Sequence, residues 1–109
     1  MDYPYELIVV IINRGFSDLV MDSVRTVGAT GGTIVNARGT AVKSVKNLFG
    51  ITVNPDKELI LILAKKETRD QIMTAVCKSA GLGTNGKGIA FSVPVDNVLG
   101  MTIGINEEE

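Results

Sequence analysis

Residues Tyr5 to Asn13 form an almost continuous run of β-favouring aliphatic residues, the pattern of a strand buried on both faces. Downstream the period changes. Leu19, Val20, Val24 and Val27 fall at helical spacing after Ser17, a good N-cap, and Gly28 stands where a helix commonly ends. Gly31-Gly32 opens a second strand, Thr33 to Ala37, rich in β-branched residues. A third strand is predicted over Glu58 to Ala64. Thr68-Arg69-Asp70-Gln71 has the form of a capping box, starting a helix carried by Ile72, Met73, Val76 and Ala80 and closed by Gly81. A last strand runs from Ile89 to Val95, and the tail 104–109 is acidic.

The predicted order is βαββαβ, and an internal repeat supports it. A shift of 52 residues places Glu6-Leu7-Ile8 on Glu58-Leu59-Ile60, Asp18 on Asp70, Val20 on Ile72, Met21 on Met73 and Val24 on Val76. Two βαβ units joined this way give an α+β, ferredoxin-like (split βαβ) domain: a four-stranded antiparallel sheet with both helices on one face. The chain is read as one domain over residues 1–109. Its strands are apolar on both alternations, so the face left open by the helices is expected to be buried by self-association.

Composition removes most catalytic options. The 109 residues contain no His and one Cys, Cys77, which excludes disulfide frameworks, Cys/His metal sites and His-based triads. Cys77 is expected to be an inert, buried helix residue, Met21 and Met73 core filler, and Asp18 and Asp70 helix-start carboxylates rather than an acid/base pair. The longest aliphatic run, Leu7 to Ile12, is too short to cross a bilayer, and the chain reads as soluble and cytoplasmic. With aromatics at 5% and none in the central strand segments Leu7 to Ile12 and Glu58 to Leu63, no platform for stacking nucleic-acid bases is expected.

The net charge is −1, but its distribution is uneven. Residues 31–54 hold Arg38, Lys43 and Lys46 with no acid, and residues 71–95 hold Lys78 and Lys87 with no acid. Both stretches are rich in glycine, and exposed backbone beside fixed positive charge suits a small anion. Gly81-Leu82-Gly83-Thr84-Asn85-Gly86 spells G-x-G-x-x-G, but it follows a helix and precedes a strand, the reverse of the dinucleotide-binding context. Two readings of this loop stand: a backbone cradle for an anion with Lys87 supplying charge, or a solvated helix-to-strand connection. Arg38-Gly39-Thr40 has the same pair of readings, as turn chemistry or as a second half-site. The stretch from Arg38 to Asp56, with the apolar tip Leu48-Phe49, exceeds a hairpin turn and suits a binding loop.

Gly28-Ala-Thr-Gly31-Gly32-Thr33, Ala37-Arg38-Gly39-Thr40 and Gly86-Lys87-Gly88-Ile-Ala-Phe-Ser-Val-Pro-Val-Asp96 resemble the PII nitrogen-regulatory signalling proteins over roughly residues 5 to 103. The resemblance implies a non-enzymatic homotrimer in signal transduction and nitrogen regulation. An adenine nucleotide (ATP, ADP or AMP) or a related anionic metabolite would sit in each cleft between subunits, with no covalent cofactor and no metal site. A T-loop, residues 38–56 here, would dock on a client protein, an enzyme or a membrane transporter, presenting Lys43, Lys46, Leu48 and Phe49. By this resemblance Thr33 and Gly39 belong to the base of the nucleotide cleft, beside the candidate anion-binding residues Arg38 and Thr40, and Gly86 and Gly88 to a phosphate-wrapping B-loop, residues 81–88, with Lys87 the nearest candidate for its lysine. Two arginines that most members carry after the last strand are Gly100 and Thr102 here, so phosphate charge must be met elsewhere. The loop has no Tyr to modify and no Gln, and Asp56 stands near the position of a loop lysine of the family, which speaks against 2-oxoglutarate with magnesium. The enzyme alternative on the same scaffold is a small acylphosphatase-like hydrolase, faintly suggested by Asn13-Arg14-Gly15 after the first strand.

Overall fold

A computed structural model describes residues 3–40 and 55–100. The elements are β1 (Tyr5–Asn13), α1 (Ser17–Arg25), β2 (Thr33–Arg38), β3 (Asp56–Lys65), a 3₁₀ turn (Lys66–Thr68), α2 (Arg69–Ala80) and β4 (Ile89–Val95). All strand pairs are antiparallel, in the order β2-β3-β1-β4. This is the expected ferredoxin-like arrangement: the first strands of the two repeat units pair in the centre, and the second strands form the edges.

The core follows from strand alternation. Ile8, Val10 and Ile12 of β1 and Ile60, Ile62 and Ala64 of β3 point to the helices and are buried against Val20, Met21 and Val24 of α1 and Ile72, Val76 and Ala80 of α2. At about 2 kcal/mol per fully buried aliphatic side chain, this layer dominates folding. The other alternation is apolar too but lacks a cover. Val9 lies between Leu61 and Phe91 in the register, and Ile11 between Leu59 and Ile89. Phe91 and Ile89 are each 47% exposed and Val93 42%. The central strands are therefore buried on one face and half-buried on the other in the single chain, not buried on both.

The helix termini differ from expectation in an informative way. Ser17 does not cap α1: Phe16 occupies that position, and the Ser17 hydroxyl donates to Glu58 of β3. Thr68 likewise makes no capping bond, because its hydroxyl donates to Lys65 O at 3.0 Å and closes the preceding 3₁₀ turn. In both places a tertiary or turn partner outcompetes the local one. Gly28 does end the first helix: at φ +113° it lets Ala29 N reach Val24 O at 3.1 Å in a Schellman arrangement. Leu19 is exposed, with Met21 taking its place in the core, and Cys77 is exposed rather than buried. Cys77 lies one position past Val76, just off the buried stripe of α2.

Candidate functional site

The end of β1, the end of β2 and the starts of β3 and β4 converge at one end of the sheet. There Arg38 stands opposite Asp56, Ala37 opposite Lys57, Lys57 opposite Asn13, and Ile11 opposite Ile89. Gly39 continues past β2, its N–H donating to Pro55 O at 2.7 Å. A Cβ at Gly39 would lie 3.1 Å from Lys57 Cε, so the backbone rests directly on the lysine stem. The Lys57 ammonium crosses to Asn13, donating to Oδ1 at 2.6 Å. Asn13 in turn grips the glycine-rich turn, with Nδ2 donating to Asn85 O at 2.9 Å and its backbone N–H to Gly86 O at 2.8 Å. A continuous polar chain thus runs from the base of the β2–β3 connection to the loop before β4.

That loop is tightly built. Gly88 N donates to Ala80 O at 2.6 Å, Thr84 N to Gly81 O at 2.9 Å and Lys87 N to Thr84 O at 3.1 Å, while Gly86 N donates to the Thr84 hydroxyl at 3.2 Å. A Cβ on Gly86 would lie 2.8 Å from Ala80 Cβ, and one on Gly88 would press into Ala80 O and lie 2.7 Å from Ile12 Cγ2. These two glycines are needed for close packing; Gly83, with nothing within 4 Å, is not. Between them Lys87 is held at φ +49°, the left-handed region a lysine seldom adopts. The loop is neither an open nest nor a loose connection: several of its amides are engaged inside the protein, and it presents one exposed lysine from a strained position.

The predicted site residues separate into groups. Arg38, Gly39 and Thr40 sit at the β2 edge, and Gly86, Lys87 and Gly88 lead into the β4 edge, at the same end of the sheet. Three strand spacings, roughly 14 Å, lie between the edges. Thr33 begins β2 and is about 17 Å along the strand from Arg38. Near the end where β2 begins, a cavity of about 230 Å³ is lined by Gly28, Ala29, Thr30, Leu63, Ala64 and Lys65, among others. Lys43, Lys46, Leu48, Phe49 and Thr102 lie outside the described residues.

Sequence reasoning passed over Lys57, named Asn13 only in the faint acylphosphatase-like motif, and gave Glu58 no capping role. Glu58 accepts the Ser17 hydroxyl at 2.5 Å and Gly15 N at 3.2 Å. These bonds, the Ser17 first of all, hold its carboxyl below the ordinary value of 4.5 against the opposing effect of burial, with a smaller contribution from Arg14. The turn where an acylphosphatase-like reading would seat its substrate is therefore occupied by the protein's own carboxylate. One signal was available: Glu58 is the repeat partner of Glu6, which pairs with Arg69 at 3.5 Å. Among the described residues, no cluster of three His, Cys, Asp or Glu suits a metal ion, and no helix is long and apolar enough to cross a membrane.

Comparison with known proteins gives two findings and one blank. The fold is similar to the crystal structure of Arabidopsis thaliana PII bound to citrate, with a TM-score of 0.68 and 22% identity, covering 90% of this chain and 81% of that one. No curated protein matches the chain. The family model "Nitrogen regulatory protein P-II" matches residues 5–104, nearly the whole length, and with the sheet order and loop positions above, the chain belongs to the nitrogen regulatory protein P-II family.

Proposed function

We propose that this chain is a ligand-gated regulatory protein. It assembles as a homotrimer through the open face of its sheet, binds an adenine nucleotide in the clefts between copies, and signals to a client protein through the 38–56 loop. The observation that carries this is the placement of the two glycine-rich half-sites. Arg38-Gly39 and Gly86-Lys87-Gly88 share one end of the sheet but lie on opposite edges, β2 and β4. Two strands, β3 and β1, separate them, so the two halves suit a ligand shared with a neighbouring copy better than a compact ligand of one chain. The apolar face carrying Val9, Leu61, Ile89, Phe91 and Val93 gives copies a reason to meet.

A ligand lying along β2 from Thr33 to Gly39 would be elongated, as a nucleotide is. Its contacts with Gly39 and Thr40 favour some conformations of the chain beyond them, and a client that discriminates among those conformations reads the occupancy. A tenfold change in client affinity requires only about 1.4 kcal/mol of differential binding, within reach of one charge-assisted hydrogen bond. The client, a soluble enzyme or a membrane transporter serving nitrogen metabolism, would meet Lys43, Lys46, Leu48 and Phe49. Loop composition speaks against 2-oxoglutarate with magnesium as a co-ligand. Nothing in this scheme requires catalysis. The test is sedimentation combined with calorimetry against ATP, ADP and AMP: a trimer binding at least one of them is expected, and a monomer binding none at millimolar concentration overturns the reading.

A further inference from the structure

We propose that Lys57 is the phosphate-neutralising residue of the candidate nucleotide site, stored on Asn13 when no phosphate is present; the proposal rests on the nucleotide reading above. Lys57 lies beneath Gly39, with its stem in contact distance of where a Cβ there would stand, and its ammonium is 2.6 Å from Asn13 Oδ1. The partner is a neutral amide oxygen. Among the described residues no carboxylate pairs with Lys57, whereas Arg25 and Arg69 are both in ion pairs. An ammonium on a flexible four-carbon stem, whose acceptor among the described residues is neutral, exchanges that acceptor for a phosphate oxygen at little cost and with a gain in charge.

The location favours the same role. Arg38 is exposed at the edge strand and Lys87 protrudes from the strained turn; Lys57 lies between those two positions in the sheet and is the part-buried one. Asn13 has a matching second task. Its Nδ2 stays on Asn85 O when the ammonium leaves, so the glycine-rich turn keeps its form while the lysine moves.

The experiment is calorimetric titration of the full chain with ATP and with AMP, for the wild type, Lys57→Met, Lys57→Arg and Asn13→Asp. Methionine keeps the stem beneath Gly39 and removes the charge. Lys57→Met is expected to weaken ATP about tenfold or more and AMP by less than about threefold, because the lost contact scales with phosphate charge. Lys57→Arg is expected to recover most of the ATP affinity. Asn13→Asp should also weaken ATP more than AMP although Lys57 is still present, because the new carboxylate retains the ammonium, whereas loss of the Nδ2 bond to Asn85 O alone would weaken both alike. An unchanged ATP-to-AMP ratio in Lys57→Met overturns the role of Lys57 while leaving the nucleotide site standing. Binding of neither nucleotide by the wild type overturns both. Should Lys57→Met not fold, a wild-type ratio in Asn13→Asp overturns the proposal.

Discussion

Glu58 of β3 holds Ser17 of α1, accepting its hydroxyl at 2.5 Å across 41 residues of sequence. The carboxylate stands at the positive end of a helix from another element, replacing the local cap that Ser17 would otherwise provide. Replacing Glu58 by Ala is expected to cost about 1–2 kcal/mol in urea unfolding, the usual range for a lost cap with a partner left over. Glu58→Gln, which keeps one acceptor, should lose less.

The same contact sets a pH dependence. The folded carboxyl titrates below its ordinary value of 4.5, chiefly through the Ser17 bond. Its contribution to stability is complete above the unfolded value and disappears as pH falls through the lowered folded value. Urea midpoints of the wild type should therefore fall between about pH 5 and pH 3 more steeply than those of Glu58→Gln, and parallel curves would refute this.

The glycines before β4 divide by what surrounds them. Gly88→Ala would force a methyl into Ala80 O and Ile12, and Gly86→Ala one into Ala80, so each is expected to cost about 2 kcal/mol or more. Gly83→Ala meets open space and should change stability by less than about 0.5 kcal/mol. Chemical unfolding of the three variants checks the order.

Lys87 at φ +49° carries a backbone strain of about 1 kcal/mol. Lys87→Gly relieves the strain but adds freedom to the unfolded chain, so a small net gain, about 0.5 kcal/mol, is expected. If Lys87 serves the ligand, the same variant binds ATP more weakly while unfolding at higher urea; a gain in both would remove Lys87 from the site.

Phe91 is an exposed aromatic on the open face, aligned with Val9 in the register. Phe91→Asp places a charge where copies are proposed to meet, and sedimentation should change from trimer to monomer. A trimer that persists would locate the contact elsewhere.

The fold was legible because its signals are periodic and redundant. β1 and β4 were read to the residue, and the 52-residue repeat fixed which strands occupy the centre. β3 runs two residues earlier than its hydrophobic pattern, at Asp56-Lys57, because pairing with Arg38 and Ala37 continues after the apolar pattern has stopped. The helix starts were misread for the opposite reason: Ser17 and Thr68 have the right chemistry for caps, but Glu58 and Lys65 O win their hydroxyls, and neither competitor is visible locally. The glycine loop and the β2 end could be named from composition and family resemblance. That Lys57 and Asn13 join them could not, since the bond spans 44 residues and lies in no motif.

The glutamate contacts occur as an exchanged pair. Glu6 reaches Arg69 and Glu58 reaches Ser17, and the same step of 52 relates both the acceptors and their partners, so each half of the duplication anchors the first turn of the other half's helix. Neither half holds its own helix: the first turn of each depends on a carboxylate supplied by the other, and Glu6, 6% accessible, is answered by Arg69. The two contacts are reciprocal, so the halves clasp one another about a two-fold relation, and the chain keeps that embrace within one polypeptide.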